Sequence, residues 1–234
     1  MAFKLLRRRE ILLPTLWGWL AFAAIAAAVA VVAARGAYGF LATNEPAAAP
    51  RFLVVEGWMG DEELAQVKAL FASGKYEKII TVGGPLDSRL VPVVGLADFG
   101  HWSARMLLNI GIPESRVVPV AVPASAQDRT YLSAVTARDW MQRDYPDARE
   151  FDLYSAGVHT RRSRLLYKMA FGPEYRIGAI ASRTVDYDPS LWWRSSAGVK
   201  TVMSESISYA WTICCFFPPA QGSHEEKWGV KRSP

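Results

Sequence analysis

The sequence predicts an α/β fold: a three-layer Rossmann-like sandwich with a mostly parallel sheet of about five strands, preceded by one N-terminal transmembrane helix. Two observations support this prediction. Short apolar runs alternate with longer segments of helical spacing, which is typical of a parallel sheet covered by helices on both faces. A long uncharged segment, residues 11–34, comes before the first of these runs.

Residues 11–34 contain no charged side chain. At about 1.5 Å per residue, a helix of this length crosses a bilayer core of roughly 30 Å. Arg7, Arg8 and Arg9 precede it, so the positive-inside rule places residues 1–10 in the cytoplasm and the rest of the chain outside the cytoplasmic (inner) membrane. A cleaved signal peptide is the alternative, because Ala28 and Ala30 could support cleavage. The apolar run is longer than a usual signal sequence, which favours a retained helix.

The charge and the metal-binding residue types narrow the function classes. The net charge is +5, and residues 1–36 carry most of it, with five basic residues and one acidic residue. The remainder is nearly neutral, so no nucleic-acid surface is expected. The three histidines are dispersed, and neither a metal site nor a cofactor is predicted. Cys214 and Cys215 are adjacent and are expected to stay unpaired, because a bridge between neighbours is strained.

Five apolar runs predict the strands, at residues 52–55, 78–82, 116–120, 151–155 and 176–180. The first run, Phe52–Val55, is continuously apolar, as expected for a strand buried on both faces. The last helix follows Trp192 and has an apolar stripe, formed by Val199, Val202, Met203, Ile207, Ala210 and Trp211. The predicted regions are a cytoplasmic segment 1–10, a transmembrane helix 11–34, a linker 35–50, an extracytoplasmic domain 51–217, and a polar tail 218–234. Residues 221–234 of the tail are expected to be mobile.

The segment from Phe151 to Gly172 contains the strongest candidate site. It predicts a strand, a turn and a basic helix, with His159 and Arg162 at the start of the helix. Ligands of parallel α/β folds bind at the carboxyl ends of strands, and helix N-termini favour anions. His159 is suited to proton transfer, although a structural histidine bonded to the loop backbone is equally compatible. Arg162 lies on the apolar side of its helix and needs an anionic partner there.

Three candidates could pair with Arg162, namely Glu56, Asp128 or a bound phosphate. Glu56 ends the first strand and is either that partner or a general base. Asp128 precedes a predicted helix and is either its N-cap or part of the ligand site. Arg129 follows it and could contact a ligand. Gly83 and Gly84 end the second strand, where glycine lets a ligand approach the backbone closely, although such a pair is also common in plain turns.

Four segments carry a family resemblance: Leu53-Val-Val-Glu-Gly, Thr81-Val-Gly-Gly, Ser125-Ala-Gln-Asp-Arg-Thr-Tyr-Leu-Ser-Ala and Ser155-Ala-Gly-Val-His-Thr-Arg-Arg. Their order and spacing resemble the motifs of the DUF218 family, also called the YdcF/SanA/ElyC-like family, over most of residues 51–180. Where the third motif of that family has a Glu-Asn pair, this chain has Leu132 and Ser133.

The resemblance implies a Rossmann-like domain with a role in bacterial cell-envelope or polysaccharide biogenesis. It also implies a phosphorylated ligand, either a lipid carrier or a nucleotide-like molecule. On this hypothesis Arg162 and Arg129 hold the anion, and His159 with Glu56 manages a proton if the protein is an enzyme. The alternative is a non-catalytic partner module of an envelope-polymer assembly or secretion complex, with the apolar helix that ends in residues 211–217 as its contact surface.

Overall fold

The computed structural model describes residues 12–227 and divides the chain into two compact units, Met1–Gly36 and Ala37–Pro234. The first unit holds most of helix α1, Leu16–Leu41. This helix is long and apolar enough to cross a membrane, and its apolar part buries no residue inside the protein. The basic residues before it lie outside the described part of the chain. The helix also extends to Leu41, seven residues beyond the end predicted at residue 34, so the first residues of the predicted linker are helical.

The second unit contains a five-stranded sheet in which every pairing is parallel. The strand order is β3-β2-β1-β4-β5. The strands are β1 Phe52–Glu56, β2 Lys78–Gly83, β3 Val117–Ala121, β4 Glu150–Ser155 and β5 Arg176–Ala181. All five residues of the central strand β1 are buried, as its unbroken apolar run predicts. The predicted fold class is confirmed.

Helices cover both faces of the sheet. They are α2 Asp61–Ala72, α3 Val91–Val94, α4 Phe99–Asn109, α5 Arg129–Asp144, α6 Thr160–Phe171 and α7 Ser196–Cys214, with short 3-10 turns at Glu114–Arg116, Gly157–His159, Pro189–Arg194 and His224–Lys227. One core cluster joins the sheet to α2 and α4, and the other joins it to α5 and α6. This three-layer arrangement brings the strand carboxyl ends and the following helix starts to one edge of the sheet.

Residues 42–50 are fixed to the sheet and are not a free spacer. Glu45 forms an antiparallel bridge with Ala179 of β5, and the amide of Ala47 donates to Asp152 at 2.7 Å. A side chain at Gly178 would lie 1.9 Å from Asp152 Oδ1, so glycine is required where this segment passes. Asp152 also accepts from Tyr76 at 2.8 Å, and burial raises the pKa of this carboxyl above its usual value.

The tail is also partly fixed, which corrects the prediction of a mobile segment from residue 221. Glu226 is 4% exposed and receives two hydrogen bonds from Arg138, at 2.7 and 2.8 Å. Burial raises the pKa of Glu226, but the bonds from Arg138 outweigh it and hold the pKa below its usual value. Residues 218–227 thus pack against α5, and residues 228–234 lie outside the described part of the chain.

The end of the chain differs from expectation in two further respects. The apolar stripe of α7 is mostly uncovered, since Val202 is buried whereas Met203 and Ile207 are 49% and 66% exposed. Cys214 and Cys215 form a disulfide with each other, so the expectation that they stay unpaired was wrong.

Candidate functional site

A cavity of about 680 Å³ lies at the carboxyl ends of the strands. The ends of β1 and β2, the loop after β3, and the starts of α5 and α6 form most of its wall. Six of the seven predicted site residues line it: Glu56, Gly83, Gly84, Arg129, His159 and Arg162. The seventh, Asp128, does not.

One wall of the cavity is a closed network around Glu205, a residue of α7. Arg162 donates to both carboxylate oxygens of Glu205, from Nε at 2.9 Å and from Nη2 at 3.1 Å. His159 Nδ1 lies 3.0 Å from Glu205 Oε1. Burial raises the pKa of Glu205, but the hydrogen bonds from His159 and Arg162 outweigh it and lower the pKa to about 2. Glu205 is therefore ionised at neutral pH.

The network determines which nitrogen of His159 carries the proton. An ionised carboxylate can only accept, so we assign the proton to Nδ1, which donates to Glu205. Arg162 Nη2 lies 2.9 Å from the same nitrogen and donates to Glu205 Oε1 at 3.1 Å. In the neutral form of the ring, this assignment leaves the lone pair on Nε2. A histidine that acts as a general base has this arrangement: one ring nitrogen donates a hydrogen bond to a carboxylate, and the other carries a free lone pair.

Nε2 of His159 is buried and has no hydrogen-bond partner among residues 12–227. The nearest carboxylate oxygen, Glu56 Oε2, is 3.9 Å away and therefore beyond hydrogen-bond distance. The indole of Trp58 packs edge-on against the imidazole with 5.1 Å between the ring centroids. An unsatisfied buried nitrogen is uncommon, and functional sites are one place where it occurs.

Glu56 has different partners from those predicted. Its two carboxylate oxygens accept from the hydroxyls of Ser155, at 2.5 Å, and Ser163, at 2.9 Å. The residue is 2% exposed. Arg162 is paired with Glu205 and not with Glu56 or Asp128, so the two carboxylates predicted as its partner were wrong. Glu56 instead links the end of β1 to the end of β4 and the first turn of α6.

A second part of the wall, at the start of α5, is open. The side chain of Arg129 makes no hydrogen bond or ion pair with any residue of the described chain, although its carbonyl accepts from the hydroxyl of Ser133 within α5. Asp128 occupies the N-cap position with a left-handed φ of 48° but makes no side-chain cap hydrogen bond. The predicted cap is therefore wrong in its bonding, and Asp128 lines a neighbouring hollow with Tyr131 and Trp211. The uncapped first turn of α5 presents amide donors, and the dipole favours an anion there.

The two glycines have different structural roles. A Cβ at Gly83 would lie 2.6 Å from Phe99 Cβ and 2.7 Å from the amide nitrogen of Gly100. Glycine is required there because helix α4 packs directly on the end of β2. A Cβ at Gly84 would meet no atom within 4 Å. The space around Gly84 therefore leaves room for the predicted close approach of a ligand. At Gly83, the packing of α4 explains the glycine.

Sequence reasoning missed Glu205, which holds His159 and Arg162 from 46 and 43 residues away. One feature of the sequence could have identified Glu205. Glu205 is the sole carboxylate in α7, and it follows the buried Val202 by three residues, which places it on the inward side of the helix.

Comparison of the chain with family models, with curated proteins and with solved structures gives no match. The resemblance to the DUF218 family stays a prediction. Within residues 12–227, no group of three or more His, Cys, Asp and Glu side chains is arranged to hold a metal ion. Function is therefore inferred from the geometry of the cavity.

Proposed function

We propose that the second unit binds an anionic, phosphorylated ligand in the cavity, with the anionic group at the start of α5. The observation that supports this most is the free guanidinium of Arg129 beside an uncapped helix terminus. Arginine binds phosphate oxygens in pairs, and helix N-termini add amide donors. The cavity volume of about 680 Å³ is within the range of small-molecule sites.

Arg162 has a secondary role in this proposal. Its charge is balanced by Glu205, with which it forms two hydrogen bonds. It therefore attracts an anion less than Arg129 does, and its main role is to hold Glu205 and His159 in place. Arg129 provides the uncompensated positive charge, and the open space at Gly84 leaves room for the ligand.

His159 is the proposed general base of a reaction on the bound ligand. Its free Nε2 accepts the proton of a water or hydroxyl nucleophile as the nucleophile attacks the phosphorus of the ligand. The P–O bond to the leaving group breaks, and the imidazolium returns the proton to the departing oxygen. The ionised Glu205 stabilises the imidazolium that results. Glu56, held by two serine hydroxyls, is the second carboxylate of this wall and orients the nucleophile.

The ligand classes that we propose are phosphorylated lipid carriers and nucleotide-like molecules, in cell-envelope or polysaccharide biogenesis. The apolar helix α1 supports a protein held at a membrane. The inner membrane, with the second unit on its extracytoplasmic side, is the location that the three arginines before the helix favour.

Ligand-dependent thermal stability of the full chain in detergent tests the proposal. We would screen inorganic phosphate, a nucleoside diphosphate and a short-chain prenyl phosphate. We expect at least one to raise the melting temperature, and we expect Arg129→Ala to abolish the rise. Arg143→Ala is the matched control, because Arg143 lies at the other end of α5 and pairs with Asp144. Equal stabilisation of wild type and Arg129→Ala would contradict the proposal.

A second candidate is the non-catalytic partner module of an envelope-polymer assembly or secretion complex. The ion pair between Arg162 and Glu205 favours it, because this arginine needs no external anion. On this hypothesis none of the three ligands changes the melting temperature, and the protein is recovered from cross-linked membranes bound to other envelope proteins.

A further inference from the structure

Helix α7 has an apolar face that the described part of the chain does not cover. Val199, Met203, Ile207 and Trp211 follow one another at intervals of four residues and are between 40% and 66% exposed. Intervals of four residues place them along one side of the helix. The other side packs on the domain through the fully buried Val202. Uncovered apolar faces of this kind mark interaction surfaces.

The charges of α7 indicate which partner suits this face. Lys200 and Glu205 are the only charged residues of the helix, and Glu205 is turned inward to Arg162. Lys200 is exposed in the second turn, and the exposed Arg194 shortly precedes the helix. An apolar face with cations beside it is typical of a helix that lies in the interface of a bilayer.

The chain itself keeps α7 close to a membrane. Phe40, in the last turn of α1, packs edge-on against Tyr209 of α7 with 5.6 Å between the ring centroids. The guanidinium of Arg161 lies 4.1 Å from the centroid of the same phenylalanine ring. Phe40 is five residues beyond Arg35, where the apolar segment ends, and five residues reach at most about 17 Å when fully extended. A lipid surface is therefore within reach of α7.

We propose that Val199, Met203, Ile207 and Trp211 rest in the headgroup region of the bilayer that the N-terminal helix crosses. Ile207 and Trp211 also line a hollow together with Arg129 and Arg162. Docking of α7 therefore brings the candidate site to the lipid surface. The inference takes α1 as a membrane span and is independent of whether the cavity binds a phosphorylated ligand.

Site-specific fluorescence quenching tests this docking. The full chain carrying Cys214→Ser and Cys215→Ser would be reconstituted in phosphatidylcholine vesicles with one new cysteine, at Ile207→Cys, labelled with a small fluorophore. Ala69→Cys is the matched control, since Ala69 is exposed on α2, across the sheet. Nitroxide-labelled lipid should quench the label at position 207 about fivefold more than the label at position 69, and aqueous iodide should show the reverse order.

Two outcomes would overturn the proposal. Equal iodide access at both positions would mean that the face is in water. Protection from iodide at position 207 without quenching by lipid would mean that protein covers the face, either a second copy of this chain or another partner. Met203→Cys provides a second reporter on the same face if Ile207→Cys does not fold.

Discussion

The two arginines of the cavity differ in how they are neutralised. Arg162 donates two hydrogen bonds to Glu205, which also holds His159, and this end of the cavity is closed by protein contacts. The side chain of Arg129, at the start of α5, has no hydrogen-bond or ion-pair partner among residues 12–227 and stands beside an uncapped helix start. The comparison separates two roles: paired charges hold the geometry of the site, and the free charge is available for a ligand.

Removal of Glu205 should have the largest effect on stability. Glu205→Ala leaves Arg162 and His159 largely buried without their acceptor, and we expect a loss of roughly 3 kcal/mol of unfolding free energy. Denaturant unfolding of the full chain in detergent measures it. Asp61→Ala is the control, because Asp61 is exposed at the start of α2. A loss below about 0.5 kcal/mol would show that the network does not hold this end of the cavity together.

The same network should make stability depend on pH. The pKa of Glu205 is lowered from 4.5 to about 2 in the folded protein. Its contribution is therefore fully present above about pH 5 and is lost as the pH falls toward 2. Between pH 6 and pH 3 we expect this residue to contribute a decrease of about 2 kcal/mol. Comparison with Glu205→Gln isolates it from other carboxylates. Identical pH profiles for the two proteins would contradict the lowered pKa.

The adjacent glycines provide a matched pair of substitutions. Gly83→Ala places a methyl group 2.6 Å from Phe99 Cβ and should cost about 1–3 kcal/mol of unfolding free energy. Gly84→Ala meets no atom within 4 Å and should change stability by less than about 0.5 kcal/mol. Thermal unfolding of both variants checks the order. If Gly84→Ala were the more damaging change, the packing of α4 on β2 would be misdescribed.

Arg129→Ala should have the smallest effect on stability. The Arg129 side chain is exposed and makes no hydrogen bond or ion pair within the described chain, so we expect a change below about 0.5 kcal/mol. Affinity for the phosphorylated ligand should nevertheless fall at least about tenfold, the loss of one charge-assisted contact. Titration calorimetry on folded Arg129→Ala measures it. A destabilised variant with unchanged affinity would reverse the roles of the two arginines.

The sequence predicts the central architecture well because it depends on local patterns. The buried strand β1 is readable as an apolar run, and the strand-turn-helix pattern correctly brings His159 and Arg162 to the cavity. Contacts between distant segments are not readable in this way. Glu205 reaches His159 across 46 residues, and Ala47 reaches Asp152 across 105.

Helix α7 illustrates a second limit. Its apolar stripe predicts a helix, and the helix forms, but periodicity does not say whether protein or another surface covers the stripe. Met203 and Ile207 are exposed for this reason. The tail shows the same limit. Its polar composition predicts exposure, but Glu226 is buried because it pairs with Arg138, and composition does not reveal that pairing.

The most direct test of the central claim is the protonation state of His159, observed by nitrogen-15 NMR of the histidines in the full chain. The chain has three histidines, so His159→Gln assigns the signal. The account predicts a neutral ring with the proton on Nδ1 at pH 8, and a shift of the Nε2 resonance when the phosphorylated ligand is added. A proton on Nε2, or an Nε2 resonance that no ligand moves, would contradict a histidine base that faces an anion site.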